Sequence, residues 1–183
     1  MADPTLLTIC GALRAGSTNR LLLGEAVRAF GPARVTDGTL RLPLFDEDIE
    51  TGPGIPPEVM TLAEQIKAAD AVVISTPEYN KALPGVLKNA LDWVSRTRLA
   101  PWRDKPVAVI SAADGRAGGD RSQFSLRLAM VPFRARVLPG PEVMVAHSRQ
   151  AFDEAGRLKE EAYRKALTEL MGLLRDEVAL TRR

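Results

Sequence analysis

Hydrogen-bond donors are concentrated directly after the first apolar segment of the sequence. Thr5–Cys10 is largely apolar, and the residues that follow it include Arg14, Ser17, Thr18 and Asn19. If a strand passes here into a helix, the unpaired N–H groups and the dipole of the helix N-terminus favour a bound anion. A phosphate site is therefore one interpretation, and ordinary capping of a helix is the other. The segment matches neither the dinucleotide-binding glycine fingerprint nor a P-loop.

A second polar segment, Pro77-Glu78-Tyr79-Asn80, follows another apolar run. Proline stiffens a turn, and a turn at the edge of a sheet exposes backbone N–H groups. Such a row of donors suits a planar heterocycle with carbonyl and ring-nitrogen edges, and Tyr79 would pack beside it. The alternative is a proline turn whose tyrosine covers the core.

The third segment is rich in glycine. Residues 113–119 include three glycines, and Gly115 is followed directly by Arg116. Glycine permits the backbone to approach a ligand closely. A flexible loop with no ligand is the alternative.

Short apolar runs alternate with helical patterns along the whole chain. Strands are predicted at Thr5–Cys10, 34–45, Asp70–Ser75, Pro106–Ala112 and Arg134–Leu138, with an extended segment or short strand at Glu142–Ala146. Helices are predicted at Thr18–Phe30, Pro57–Ala69, Pro84–Thr97, Asp120–Met130 and Leu158–Val178. The acidic, turn-rich segment 46–57 is expected to be a surface loop.

This alternation predicts an α/β fold in which a doubly wound, five-stranded parallel sheet lies between two layers of helices. With the strand order 2-1-3-4-5, ligands bind at the carboxyl ends of the strands, where the order reverses. The three polar segments are the loops after strands one, three and four. We therefore expect them to converge on one crevice, and this joint placement is more specific than any segment alone.

The composition is that of an ordinary globular chain. Its 183 residues are 26% charged and 45% hydrophobic, which suits a single domain over residues 1–183. A single cysteine, Cys10, and a single histidine, His147, argue against an intrachain disulfide and against cysteine or multi-histidine metal sites. We expect Cys10 in the core and His147 at the surface. With no long apolar run and no signal-peptide pattern, a cytoplasmic protein without a membrane partner is expected.

Charge is distributed unevenly along the chain. The net charge of +2 gives no reason to expect a nucleic-acid partner. Residues 46–50 carry four acids, whereas residues 96–136 carry nine arginines or lysines against three aspartates. On charge complementarity alone, we expect these two regions to pair between subunits.

Two motifs together resemble a known family. They are Gly11-x-Leu13-Arg14-x-x-Ser17-x-Asn19 and Pro77-Glu78-Tyr79-Asn80-x-x-x-Pro84-Gly85-x-x-Lys88-Asn89-x-x-Asp92-Trp93. They look like the motifs of the NAD(P)H-dependent FMN reductases of flavodoxin-like fold, which include chromate, quinone and azo-dye reductases. The resemblance spans about residues 5–146. Ala12 stands where the family usually has serine, which removes one donor near the phosphate.

The resemblance implies FMN as the cofactor and NADPH or NADH as the co-substrate. It places Arg14, Ser17 and Asn19 at the flavin phosphate, where Thr18 is a further donor. It places Pro77, Glu78, Tyr79 and Asn80 along the isoalloxazine, largely through their backbone, and the Gly115 region at the other edge of the ring. Hydride would pass from NAD(P)H to flavin N5 and, in a ping-pong cycle, electrons would pass on to a quinone, free flavin, azo, nitro or metal-oxyanion acceptor. No side chain is then required as a catalytic acid or base.

Further expectations concern the co-substrate and the assembly. Arg116 is the candidate for binding the 2′-phosphate of NADPH, and Glu78 is expected to touch a second subunit or a backbone N–H. The resemblance also implies a homodimer or homotetramer with the flavin near the interface.

Three other functions use the same topology. A flavodoxin-type electron carrier would present an acidic surface, which this slightly basic chain lacks. A non-catalytic flavin-binding sensor would have the same loops. A receiver-type signalling domain is excluded, because Cys10-Gly11 and Thr76-Pro77 stand where such domains need acidic residues.

Overall fold

A parallel sheet forms the centre of the computed structural model, which describes residues 2–181. The strands are β1 Thr5–Cys10, β2 Arg34–Gly38, β3 Ala71–Thr76, β4 Pro106–Ala112, β5 Arg136–Val137 and β6 Val143–Val145. Their order is β2-β1-β3-β4-β5, and β6 pairs with the carboxyl half of β4, beyond β5. The predicted order is thus confirmed, with its fifth position shared by two short strands.

Helices cover both faces of this sheet. They are α1 Thr18–Phe30, α2 Glu47–Thr51, α3 Pro57–Ala68, α4 Gly85–Arg96, α5 Asp120–Met130 and α6 Glu161–Thr181. Alternate side chains of a strand point to opposite faces. Leu6 of β1 accordingly packs in the cluster with α1 and α6, while its neighbour Leu7 packs in the cluster with α3, α4 and α5.

The three central strands are buried on both faces, as is typical of a parallel sheet. Every residue of β1, β3 and β4 is buried, so these strands are covered on both faces. Their carboxyl ends lie side by side, with Cys10 paired to Ser75 and Thr76 paired to Ser111. The loops that leave these ends must therefore meet at one edge.

The second strand is shorter than predicted. It ends at Gly38, which pairs with Ile9, one residue before β1 itself ends at Cys10. The remainder of the predicted strand runs on without a ladder, and its Leu40 is buried in the core by side-chain packing alone.

The acidic segment contains a helix that we did not predict. Asp46 caps α2 by accepting a hydrogen bond from the Asp48 backbone N–H at 2.9 Å. Acidic residues in the first turn complement the helix dipole, so the same acids that suggested a loop stabilise a short helix.

One acid of the 46–50 segment pairs within the chain, and the predicted pairing of charges between subunits stays a prediction. Glu50 of the acidic segment lies 2.8 Å from the guanidinium of Arg96 on α4. Cys10 is buried, as predicted, and His147 is exposed. No helix within residues 2–181 is long and apolar enough to span a membrane.

Candidate cofactor site

The loops after β1, β3 and β4 line one cavity of about 240 Å³ at the carboxyl edge of the sheet. We call it the cofactor cavity. The predicted site residues that line it are Arg14, Ser17, Thr18, Asn19, Pro77, Glu78 and Tyr79. Asn80, Gly115 and Arg116 do not line it and are exposed on the same loops. The expected convergence of the three loops is therefore confirmed, although part of the predicted residue set lies outside the cavity.

The first loop ends in the N-terminus of α1. Ser17 is the N-cap residue, and its hydroxyl accepts a hydrogen bond from the Asn19 N–H at 3.2 Å. Ser17 is only 2% exposed, whereas the neighbouring Arg14 is exposed and contacts the Gly16 carbonyl. A guanidinium beside a helix N-terminus is the donor set that a phosphate dianion prefers, so the loop fits the phosphate of FMN.

Asn19 has a different function from its neighbours, because its side chain joins helix α1 to the sheet. Its Nδ2 donates to the Ala112 carbonyl at 2.8 Å. Its Oδ1 accepts from the Ala112 N–H at 3.0 Å and from the Ser75 hydroxyl at 2.8 Å. These bonds fix the start of α1 against the ends of β3 and β4, so Asn19 positions the phosphate donors around it.

The second loop is joined to α5 by the carboxylate of Glu78. Its Oε2 accepts from the backbone N–H groups of Arg121 at 3.1 Å and Ser122 at 3.3 Å. Glu78 therefore caps the N-terminus of α5, which confirms the expected contact with a backbone N–H. Its negative charge lies at the positive end of the α5 dipole, which is the favourable end for a carboxylate.

A tight turn follows, and it presents Tyr79 to solvent. Tyr79 and Ala82 exchange backbone hydrogen bonds of 3.2 and 3.1 Å across this turn, and Asn80 and Lys81 adopt positive φ angles. Tyr79 is 51% exposed, so it does not cover the core and is available to a ligand.

The third loop is fixed at its end and open in its middle. The Ser111 hydroxyl donates to the Gly118 carbonyl at 2.7 Å, and Gln123 donates to both Ser111 and the Val143 carbonyl at 2.9 Å. Gly118 has a φ of 62° and lies directly against the backbone of β6. At Gly115, by contrast, a Cβ would meet nothing within 4 Å, so the loop there has room for a ligand.

No sequence pattern predicts the fourth wall of the cavity, which Ser148 and Arg149 form after β6. The Ser148 hydroxyl accepts from Thr18 at 3.2 Å, and its N–H donates to the Ala113 carbonyl at 3.2 Å. The adjacent Arg149 forms an ion pair of 3.4 Å with Asp114 at the mouth of the cavity. Only the return of β6 to β4 brings this segment to the site, and no local motif marks it.

Glu25 of α1 anchors the chain that follows this fourth wall. It accepts hydrogen bonds from Arg157 at 2.7 Å and from the Leu158 N–H at 3.1 Å, and it pairs with Arg28. Burial raises the pKa of Glu25, but these three donors lower it more, and the net shift is downward. The carboxylate is thus held ionised where the chain turns towards α6.

A second cavity of about 680 Å³ shares Arg14 and Tyr79 with the first. We call it the leucine cavity, because leucines from two loops line it: Leu13, Leu40, Leu42 and Leu44. Among residues 2–181 there is no group of three or more histidine, cysteine, aspartate or glutamate side chains that could hold a metal ion.

Comparison with known proteins points to the same chemistry. Residues 4–150 match the family model described as NADPH-dependent FMN reductase. The chain is 40% identical over 174 residues to an NAD(P)H-dependent FMN reductase of Pseudomonas aeruginosa, covering 94% of each chain. It is 41% identical over 143 residues to a quinone reductase of Escherichia coli, covering 76% of each.

A solved structure shows the same fold. It is a flavoenzyme NAD(P)H:(acceptor) oxidoreductase from Paracoccus denitrificans, with a TM-score of 0.86 and 27% identity, and the match covers 97% of this chain and 98% of that one. The fold and the family suggested by the two motifs are thus both confirmed. The chain is an oxidoreductase that belongs to the NADPH-dependent FMN reductase family, whose cofactor is FMN and whose co-substrate is NAD(P)H.

Proposed function

We propose that this chain binds FMN in the cofactor cavity and uses it to transfer electrons from NAD(P)H to a small acceptor. The observation that carries the proposal is the meeting of three loops around a buried helix cap, an exposed arginine and an open glycine turn. Ser17, Thr18 and Arg14 would hold the phosphate. The loop from Pro77 to Asn80 would lie along the isoalloxazine, with Gly115 near its other edge.

Bound FMN would supply the redox chemistry, which is acceptance of a hydride from NAD(P)H at N5 and ping-pong transfer of the electrons to the acceptor. The residues of the chain bind and orient. Glu78 is committed to the helix dipole of α5, and the lone histidine, His147, is not among the residues that line the cofactor cavity. We accordingly assign no catalytic acid or base to the chain.

The leucine cavity favours a reductase over a flavodoxin-type electron carrier. An electron carrier passes electrons to other proteins and needs no apolar chamber for a second small molecule. Here about 680 Å³ adjoins the cofactor cavity, and this volume is in the range of small-molecule sites. Quinones, free flavins, azo compounds and nitroaromatics are of a size to enter it, as are metal oxyanions.

We propose that Arg116 binds the 2′-phosphate of NADPH. It is exposed on the third loop, next to the open turn at Gly115. Replacing Arg116 by Ala should raise KM for NADPH far more than KM for NADH. Equal changes for the two co-substrates would contradict this assignment.

We also propose that the chain assembles as a homodimer or a homotetramer of such dimers. Helix α5 and the turn after it expose Phe124, Leu128 and Val131, which lie on one face because of their spacing, and Leu128 is 74% exposed. A contiguous apolar stripe of this kind is typical of an interface. Light scattering should give at least twice the mass of one chain, and Leu128→Glu should shift it to the mass of a single chain. A cytoplasmic location stays a prediction from composition.

The proposed activity is tested by mixing the FMN-loaded protein with NADPH without oxygen and following the visible absorbance of the flavin. Rapid loss of that absorbance, and its return when a quinone is added, would support the reductase. Bound FMN that NADPH does not reduce would assign the chain to the carriers or sensors. If FMN does not bind at all, the cavity holds another phosphate ligand and the proposal is wrong.

A further inference from the structure

The leucine cavity combines an apolar surface with an exposed leucine that is held in place. Leu44 is 80% exposed, which is unusual for a leucine, and the segment that carries it has no strand partner. The segment is nevertheless fixed. Asn89 of α4 accepts from the Phe45 N–H at 2.8 Å and donates to the Pro43 carbonyl at 2.9 Å, and Trp93 donates to the same carbonyl at 2.9 Å. Such an apolar surface, fixed by hydrogen bonds on both sides, is preorganised for a ligand.

The charges that line this cavity are of one sign. Arg14 and Arg41 belong to its lining, and no aspartate or glutamate does. Arg41 donates one Nη2 hydrogen bond to the carbonyl of Leu13, another residue of this lining, at 3.1 Å, while most of its five donors stay available. Helix α4 also begins in this lining, at Gly85, without a side-chain cap, so its positive end adds to the same field.

We propose that the leucine cavity is the acceptor site and that it selects an aromatic acceptor carrying a negatively charged group, such as a sulfonated or carboxylated quinone. The leucines would cover the rings and Arg41 would bind the anion, because Arg14 is assigned to the flavin phosphate. The inference rests on the proposed function, because the shared residues Arg14 and Tyr79 bring this cavity next to the flavin. In the net reaction NAD(P)H gives up a hydride and solvent gives one proton, and the two quinone carbonyls become hydroxyls.

The first test needs no flavin and no turnover. Naphthalene-2-sulfonate and the neutral naphthalene-2-methanol would be titrated into flavin-free protein, with their own fluorescence as the signal. Wild type should bind the sulfonate more tightly than the neutral probe. Arg41→Gln should lower the affinity for the sulfonate about five-fold and leave the affinity for the neutral probe unchanged. Leu44→Ser should lower the affinity for both probes. Arg103→Gln is the matched control, because Arg103 is exposed before β4 and lines neither cavity.

Either of two results would overturn the site. One is equal affinity of wild type for the two probes, and the other is an Arg41→Gln variant that binds the sulfonate like wild type. If a second copy of this chain fills the cavity, neither probe will bind, and that result also refutes the proposal.

The second test asks whether the site serves the acceptor. Enzyme already reduced would be mixed with 1,4-naphthoquinone-2-sulfonate or with neutral menadione, so that NADPH takes no part in the measured step. Arg41→Gln should lower the second-order rate constant for the sulfonate about five-fold and spare menadione. If Arg41→Gln instead slows reduction by NADPH and spares both quinones, the cavity belongs to the nucleotide and the inference is wrong. If NADPH fails to reduce the wild-type flavin, the proposed function fails, while the flavin-free titration still decides whether the anion site exists.

Discussion

Replacing Gly118 by Ala should damage the third loop, whereas the same change at Gly115 should not. Gly118 has a φ of 62°, and a Cβ built on it would lie 2.9 Å from the Val145 nitrogen and closer still to the Met144 carbonyl. Both neighbours are backbone atoms of β6 and cannot rotate away. A Cβ at Gly115 meets nothing within 4 Å, and its φ is not in the left-handed region.

The size of the effect follows from three contributions. The left-handed conformation costs an alanine about 1 kcal/mol. Displacing β6 to relieve the overlap costs a further ~2 kcal/mol, by analogy with overpacked cores. The shift also weakens the hydrogen bonds that Ala113 and Ser111 make across the loop, at about 1 kcal/mol. A total near 4 kcal/mol corresponds to a fall of ~10 °C in Tm for a chain of this length.

Thermal unfolding followed by circular dichroism compares the two variants. Gly115→Ala should keep or slightly raise Tm, because alanine reduces the entropy of the unfolded chain. A Gly118→Ala protein that melts with wild type would refute the reasoning. So would a Gly115→Ala protein that loses as much stability as Gly118→Ala, since the Cβ contacts would then not be the cause.

Three further predictions concern charges around the site. Arg149→Gln should lower the affinity for FMN about five-fold and Asp114→Asn should raise it about three-fold, because Asp114 pairs with Arg149 and repels the phosphate. If the affinity for riboflavin, which lacks the phosphate, changes in parallel, these residues do not act on the phosphate. The folded-state pKa of Glu25 is lowered, so the stability that this carboxylate contributes is present above about pH 4.3 and is lost as the pH falls through the folded-state pKa. Glu25→Gln should therefore flatten the acid limb of a plot of Tm against pH. A uniform drop in Tm at every pH would argue against that linkage. Glu78→Ala should cost about 1 kcal/mol of stability, because α5 loses its cap, and should leave the pH profile of turnover unchanged. Loss of the acid limb of that profile would instead identify Glu78 as a proton donor.

The sheet order was predictable because each central strand is a short apolar run bounded by loop residues. Four elements, β1, α1, β4 and α5, begin and end at the residues that the pattern predicted. The predicted bounds are wrong where the end of an element depends on the strand beside it. β2 ends at Gly38, one residue before the end of its partner β1, and the sequence of β2 itself does not indicate that limit.

The cofactor site was predictable in its loops but less so in its residues. Pro77 directly follows the end of β3 and Ser17 is the N-cap of α1, so the place of both in the cavity depends on local structure alone. Ser148 and Arg149 reach the same cavity only through the pairing of β6 with β4, a contact between distant parts of the chain. Their neighbours are polar surface residues with no signal of their own, so sequence reasoning had nothing on which to select them.

Each of the three loops is anchored to the rest of the fold at one residue, which holds the exposed residues of the loop in a defined place. Asn19 fixes the end of the first loop, Glu78 fixes the second to α5, and Gly118 fixes the third to β6. Arg14 in the first loop and Gly115 in the third are exposed, and a Cβ at Gly115 would meet nothing within 4 Å. Because each anchor removes conformational freedom before any ligand arrives, the short open segments lose little more on binding. An anchor substitution should therefore weaken a ligand that the anchor never touches, whereas an exposed residue should affect only the group it contacts.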